Sequence, residues 1–206
     1  LYKHDILGEH TIAVHGIHLD EMEMDLLAET KTWVTHQPRS NMDNAVGLPE
    51  VERMLEKGIP VCLGNDGFSN AMWEEWKTAY LSHKLIKKSS AAMNGNLIVD
   101  MAIKNNRKLV NQLFKNTQIG EIKIGATADL IVVDYSPHTE MTGGNLAWHI
   151  LFGFNEKMVK STIVNGKFLM KDCELLTMDE EKIMCETLKI SAATWKRYQL
   201  RFETTN

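Results

Sequence analysis

Between residues 11 and 90 the chain changes three times from a short apolar, β-branched run to a stretch with helical periodicity. The first run is Thr11-Ile12-Ala13-Val14-His15-Gly16-Ile17, bounded by polar residues. Asp20 follows, with Glu23 three residues on, the spacing of an N-cap and its capping box. Met24, Leu27 and Ala28 continue a helical stripe to about Glu29. The second run, Thr32 to His36, leads into a loop expected from Gln37 to Gly47. Pro49 is placed for a first helical position, Val51, Met54 and Leu55 give an apolar face, and Gly58 suits the C′ position. The third run spans about Ile59 to Asn65. Met72, Trp76, Ala79, Tyr80 and His83 then recur at helical steps to about Lys87. Such alternation specifies parallel βα units. Three units are too few to close a barrel, which takes eight strands.

Beyond residue 90 the pattern shifts. A further helix is expected from about Leu97 to Phe114, with Met101, Ala102, Leu109 and Leu113 as its apolar positions. After Thr117 come Gly120, Gly125 and a β-forming run, Ala128 to Asp134. Met158 to Val164 reads as another strand, and Asn165-Gly166 is a type I′ hairpin signal before Lys167 to Met170. A terminal helix is expected from about Asp179 to Arg201, with Ile183, Met184, Leu188, Ile190 and Trp195 as its apolar positions. The expected divisions are 1–117, 118–178 and 179–206.

Bulk properties narrow the function classes. A net charge of −4 and a pI near 6.1 leave no basic footprint for nucleic acid. No apolar run reaches the ~20 residues that span a bilayer, and no signal peptide is visible. Cys62, Cys173 and Cys185 are an odd number without CxxC spacing, which favours a reducing, cytoplasmic compartment. Cys62 lies within an apolar strand and reads as a buried free thiol. The glycines form neither a GxGxxG nor a P-loop pattern. Because the sequence begins Leu-Tyr-Lys, a fragment of a longer protein is expected.

His15, His36 and Asp66 each fall at or near the carboxyl end of one strand. In parallel α/β folds those ends share one rim, where chemistry is done. Imidazoles and a carboxylate around one cavity can build a hydrolytic metal site, in which the metal lowers the pKa of bound water. The alternative is structural: Asp66 as a turn former and the histidines as packing residues. His18 is expected to pack or cap near a helix start, and His83 to lie in the core or at an interface. Lys84, Lys87 and Lys88 suit a helix C-terminus.

Four segments carry a specific resemblance. Ala13-Val14-His15-Gly16-Ile17-His18-Leu19 resembles the "AHCVHL" segment of the amidohydrolase superfamily, in its branch of cytosine and guanine deaminases, methylthioadenosine deaminases and triazine chlorohydrolases. Thr35-His36-Gln37-Pro38-Arg39-Ser40-Asn41 resembles "HCPxSN", and Leu63-Gly64-Asn65-Asp66-Gly67 resembles "LGTDG". Gly120 to Val132 resembles "GxLxxGxxADLVV". The stretch Arg39 to Gly47 is further similar to the SsnA-like aminohydrolases.

The resemblance implies an α/β chain: about the last three βα units of a (β/α)8 TIM-type barrel, part of a composite β-sandwich, and a C-terminal helix. It implies hydrolytic deamination of an aminated heterocycle or related C–N substrate, or dechlorination of a triazine by similar machinery. Asp66 is implied as metal ligand and proton shuttle, His15 as the histidine that polarises the hydrolytic water, and Ser40 and Asn41 as substrate-binding. Asn65 stands where the family usually has Thr. The implied cofactor is a divalent metal, zinc or iron. The family's His-x-His pair, a further ligand His and its nearby Glu have no counterpart here, so weak or absent metal binding and no activity are expected of this chain alone. The expected partners are a small-molecule substrate, and either self-association or a missing N-terminal half, with no nucleic acid and no membrane. A non-catalytic remnant and a plain α/β binding module are the other readings.

Overall fold

The computed structural model describes residues 1–115 and 117–203. They form two compact units. The first contains Leu1–Thr127 and Asp134–Met158; the second contains Ala128–Val133 and the chain from Val159.

The first unit is built on a three-stranded parallel sheet, β1 (Ile12–Val14), β2 (Trp33–His36) and β3 (Val61–Leu63), in the order β1-β2-β3. Ala13 pairs with Val34 and Val34 with Val61, so the three strand ends lie in step. α1 (Glu21–Glu29) joins β1 to β2, and its capping box is complete. The Asp20 carboxylate accepts from Glu23 N at 2.8 Å, while Asp20 N donates to the Glu23 carboxylate at 3.0 Å. An Asp20→Ala exchange is therefore expected to cost about 1 kcal/mol. Urea denaturation would measure this, and an unchanged midpoint would show the cap to be dispensable.

Three details differ from the pattern read in the sequence. The segment after His36 is not an open loop: Pro38 starts a short helix, α2 (Pro38–Asp43). Proline suits a first helical turn because its missing N–H would find no intrahelical partner there. Pro49 is not the first residue of its helix, since α3 (Val51–Glu56) is preceded by Glu50 at the N-cap. Gly58 does hold the left-handed conformation beyond its end, with φ 80°. The stretch expected as one helix from 97 to 114 is instead α5 (Gly95–Val99), a π turn (Asp100–Asn105) and α6 (Asn106–Leu113). Leu113 is exposed, while Met101 and Leu109 are buried.

α4 (Met72–Lys87) has the expected span and buries Trp76, Ala79 and His83. Its last turn carries Lys84 and Lys87. Periodicity did not reveal α7 (Leu146–Gly153), whose mostly apolar sequence is too short to show a stripe. α7 packs with α4 and α5. A Cβ on Gly95 would lie 1.3 Å from the Trp148 ring, so only glycine lets α5 approach α7 there. Ile150 and Leu151 of α7 join Val34, Met54, Val61 and Trp76 in the main core.

The second unit is an antiparallel sheet in the order β4 (Leu130–Val133), β5 (Val159–Val164), β6 (Lys167–Lys171) and β7 (Glu174–Leu175). Asn165 and Gly166 have φ of 48° and 75°, as a type I′ turn requires. α8 (Glu180–Glu203) follows. Its apolar positions, Ile183, Met184, Leu188, Ile190 and Trp195, are all exposed. Periodicity marks an apolar stripe on α8 but does not supply a surface to cover it. Among the described residues no helix is long and apolar enough to cross a membrane.

Candidate functional site

His15 and Asp66 meet at the carboxyl ends of β1 and β3. Both leave the strand region in the left-handed conformation, with φ of 69° and 51°. This is uncommon for non-glycine residues and turns each side chain out of the strand path. His15 N donates to Thr35 O at 2.9 Å, which keeps the turn tied to β2. His15 Nε2 lies 3.6 Å from Asp66 Oδ2, and the two side chains remain 36% and 44% exposed.

The adjacent residues Ser40 and Asn41 on α2 back this pair. Ser40 Oγ donates to Asp66 Oδ2 at 2.6 Å. Asn41 Oδ1 lies 2.7 Å from His15 Nδ1. Both residues are buried. One helical turn thus reaches both chemical groups.

α2 is itself anchored. Arg39 Nε donates to the Glu75 carboxylate at 2.5 Å, and Arg39 N donates to it at 3.2 Å. Glu75 is fully buried on α4. Arg39 also reaches Glu74 and the carbonyl of Ser69, and its guanidinium lies over Phe68. Asn65 knits the turn beside Asp66, donating to Phe68 O, Ser69 O and Asn70 Oδ1 at 2.8–3.2 Å. The amide nitrogen has two hydrogens to share among these three acceptors, whereas a threonine hydroxyl has one.

His36 is not brought to the surface with the other two. It is fully buried, and its Nε2 lies 3.1 Å from Nε2 of His83. One ring must donate and the other accept. Burial holds the His36 ring well below the usual histidine range, aided by the neighbouring His83 and His15. Burial likewise brings His83 down to about 4, against the opposing pull of Glu52 and Glu50. The unfolded chain therefore binds protons between about pH 6.5 and 4 that the folded chain refuses, so stability is full above that window and falls as pH drops through it. Urea midpoints between pH 7 and 4.5 should show this, with a shallower fall in His83→Gln. Parallel profiles for the two proteins would exclude the pair as the cause.

The remaining sequence candidates separate clearly. His18 is exposed, and the cap expected near it is made by Asp20. His149, for which spacing gave no role, is buried with Nδ1 2.8 Å from the Tyr135 hydroxyl. Cys62 is a buried free thiol, pushed up to about 12 by burial. The contribution of Arg39 and Glu75 was missed. They are 36 positions apart and lie in different elements, so no local pattern joins them.

Among the described residues no group of three or more His, Cys, Asp and Glu converges as metal ligands would. A catalytic zinc takes about three protein ligands. His15 and Asp66 offer two, and Asp66 Oδ2 already accepts from Ser40. These residues by themselves do not fit a complete metal centre. Of the four buried polar side-chain atoms without a hydrogen-bond partner among the described residues, His36 Nδ1, Gln37 Oε1 and Asn41 Nδ2 belong to the end of β2, the following residue and α2, while Asp100 Oδ1 lies beside the Lys104 ammonium.

Residues 1–169 match a family model described as "Amidohydrolase family". The chain is 36% identical over 182 residues to a 5-methylthioadenosine/S-adenosylhomocysteine deaminase of Dictyoglomus thermophilum, covering 86% of the chain and 42% of that relative. It is 35% identical to a 5'-deoxyadenosine deaminase of Methanosarcina barkeri, covering 89% of the chain and 42% of that relative. The chain thus spans about two-fifths of the length of these relatives. Among solved structures, an adenosine deaminase from Xanthomonas campestris with bound zinc superposes with a TM-score of 0.76 at 24% identity, over 89% of this chain and 42% of that one. An atrazine chlorohydrolase from Arthrobacter aurescens, complexed with zinc and atraton, gives a TM-score of 0.75 at 16% identity, over 91% and 42%.

Proposed function

Because this chain belongs to the amidohydrolase family, we propose that it carries part of the active site of an aminohydrolase that deaminates an aminated heterocycle, with adenosine-type nucleosides as the first class to test. The single observation that carries this reading is the convergence of His15 Nε2 and Asp66 Oδ2 at 3.6 Å on an accessible rim. A water molecule in reach of both can donate one hydrogen to each. Asp66 takes a proton as the water oxygen bonds to the amine-bearing carbon, and passes it to the departing nitrogen. The C–N bond breaks, and ammonia leaves. His15 orients the water through Nε2.

In this reading β1, β2 and β3 are three strands of a (β/α)8 barrel, with the reaction at their carboxyl ends. The second unit is part of a β-sandwich. A divalent metal of the kind bound in the two zinc-containing structures would need further ligands from beyond residues 1–206. The exposed Ile12 and Val14 on edge strand β1 fit the same picture, since β-branched residues of a strand are usually covered. A missing half of the barrel would cover them.

Ammonia release from adenosine and 5'-deoxyadenosine tests the proposal. The assay compares the chain alone with the chain mixed with the part of the Methanosarcina barkeri deaminase that it does not match, zinc being present in both. Ammonia from the mixture only is the expected result. Turnover with stoichiometric metal by the chain alone would overturn the two-ligand reading. A stable mixed complex releasing no ammonia would overturn the aminohydrolase reading for these substrates.

A further inference from the structure

We propose that Asn41 is a positioning residue that holds the His15 ring in its Nδ1–H form, so that the Nε2 lone pair faces Asp66. The family resemblance implies a substrate contact at this position. Asn41 is only 1% exposed, however, and its carbonyl oxygen already lies 2.7 Å from His15 Nδ1. A carboxamide oxygen can only accept a hydrogen bond, so Nδ1 must carry the hydrogen. A neutral imidazole has one N–H, which leaves Nε2 bare.

The consequence lies in the gap to Asp66. Nε2 and Asp66 Oδ2, 3.6 Å apart, are then both acceptors. Two acceptors facing one another cannot satisfy each other. They select a molecule that brings hydrogens to both, such as water. In the opposite tautomer Nε2–H would bond Asp66 directly and close the space. Asn41 thus keeps the site open to the nucleophile.

Asn41 is well placed for this role. Its backbone N donates to Gln37 O at 2.9 Å within the α2 turn, and its carbonyl accepts from Val46 N at 3.2 Å. Its neighbour Arg39 ties the same turn to buried Glu75. The amide orientation also makes a sharp distinction. Exchanging the amide oxygen and nitrogen would set an N–H against Nδ1, forcing the hydrogen onto Nε2. The ring tautomer therefore reports which arrangement holds.

The purpose assigned to this contact rests on the aminohydrolase reading, but its existence does not. Long-range proton–nitrogen correlation spectra of the 15N-labelled chain, recorded at alkaline pH, identify which nitrogen carries the hydrogen. In the unaltered chain Nδ1 should be protonated and Nε2 bare. Asn41→Asp retains an oxygen acceptor and should keep this pattern. Asn41→Leu should lose it, with the hydrogen moving to Nε2. Protonation at Nε2 in the unaltered chain would overturn the proposal, as would an unchanged pattern in folded Asn41→Leu. Should Asn41→Leu fail to fold, the unaltered chain and Asn41→Asp still decide. Nδ1 protonation without ammonia release from the mixed complex would count against the aminohydrolase reading alone.

Discussion

Replacing Arg39 with alanine should destabilise the first unit by about 3–5 kcal/mol, the cost of leaving a buried charge without its partner. Glu75 is fully buried, and Arg39 supplies two of the donors that reach its carboxylate, the side-chain Nε and the backbone N. Alanine keeps only the backbone donor. The reference is asymmetric: replacing both partners with apolar residues of similar volume removes the charge as well as its compensation. Arg39→Met with Glu75→Leu should therefore recover much of the loss. Urea denaturation of the two proteins would decide the matter. A loss below about 1 kcal/mol in Arg39→Ala would mean that water replaces the guanidinium, so that the pair is not a structural anchor. The prediction also bears on the site, because Ser40 and Asn41 follow Arg39 directly along the same short helix.

Replacing Asp66 with asparagine should lower turnover of the complemented enzyme by about 10²–10⁴-fold, the usual contribution of a positioned acid–base group. The fold should change little. The asparagine side-chain oxygen can still accept from the Ser40 hydroxyl, and the position is exposed to solvent. Asparagine also tolerates the left-handed backbone that Asp66 adopts. What is lost is the ability to take and return a proton. Ammonia release at saturating nucleoside measures the effect. Wild-type turnover in Asp66→Asn would remove this carboxylate from the mechanism.

Sequence pattern and structure agree best where a residue's neighbours along the chain decide its conformation. Asp20 and Glu23 make their capping box from three-residue spacing alone, and Asn165-Gly166 sets its own turn. The apolar steps from Met72 to Lys87 delimit α4 because one face is buried along most of its length. Agreement weakens where a partner from elsewhere is required. α2 is invisible to periodicity because its six residues are too few to show a period. Its stability comes instead from Arg39 reaching α4.

The site divides in the same way. Strand ends and motif order marked His15 and Asp66, and the structure brings them within 3.6 Å. The same reasoning set His36 beside them, but its ring turns inward to His83. A residue's place at the end of a strand does not reveal which side of the sheet its side chain takes. Ser40 and Asn41 were marked by resemblance, and the structure joins them to Asp66 and His15. No spacing rule could have paired Asn41 with the ring 26 residues before it.

The π turn between α5 and α6 has one more consequence. It places Asn105 and Asn106 against the outer edge of β3, where Asn105 Nδ2 donates to Val61 O and Asn106 exchanges two bonds with the backbone of Leu63. Side-chain amides here imitate the missing neighbour of a strand. The edge of β3 is thus already answered, and an incoming strand would have to displace three bonds to pair there. Among the described residues no side chain bonds the backbone of β1 in this way, and its paired neighbour is β2. A closed barrel pairs both margins, so a strand joining at β3 would have to displace these side-chain bonds, whereas a strand joining at β1 meets no such side-chain competitor.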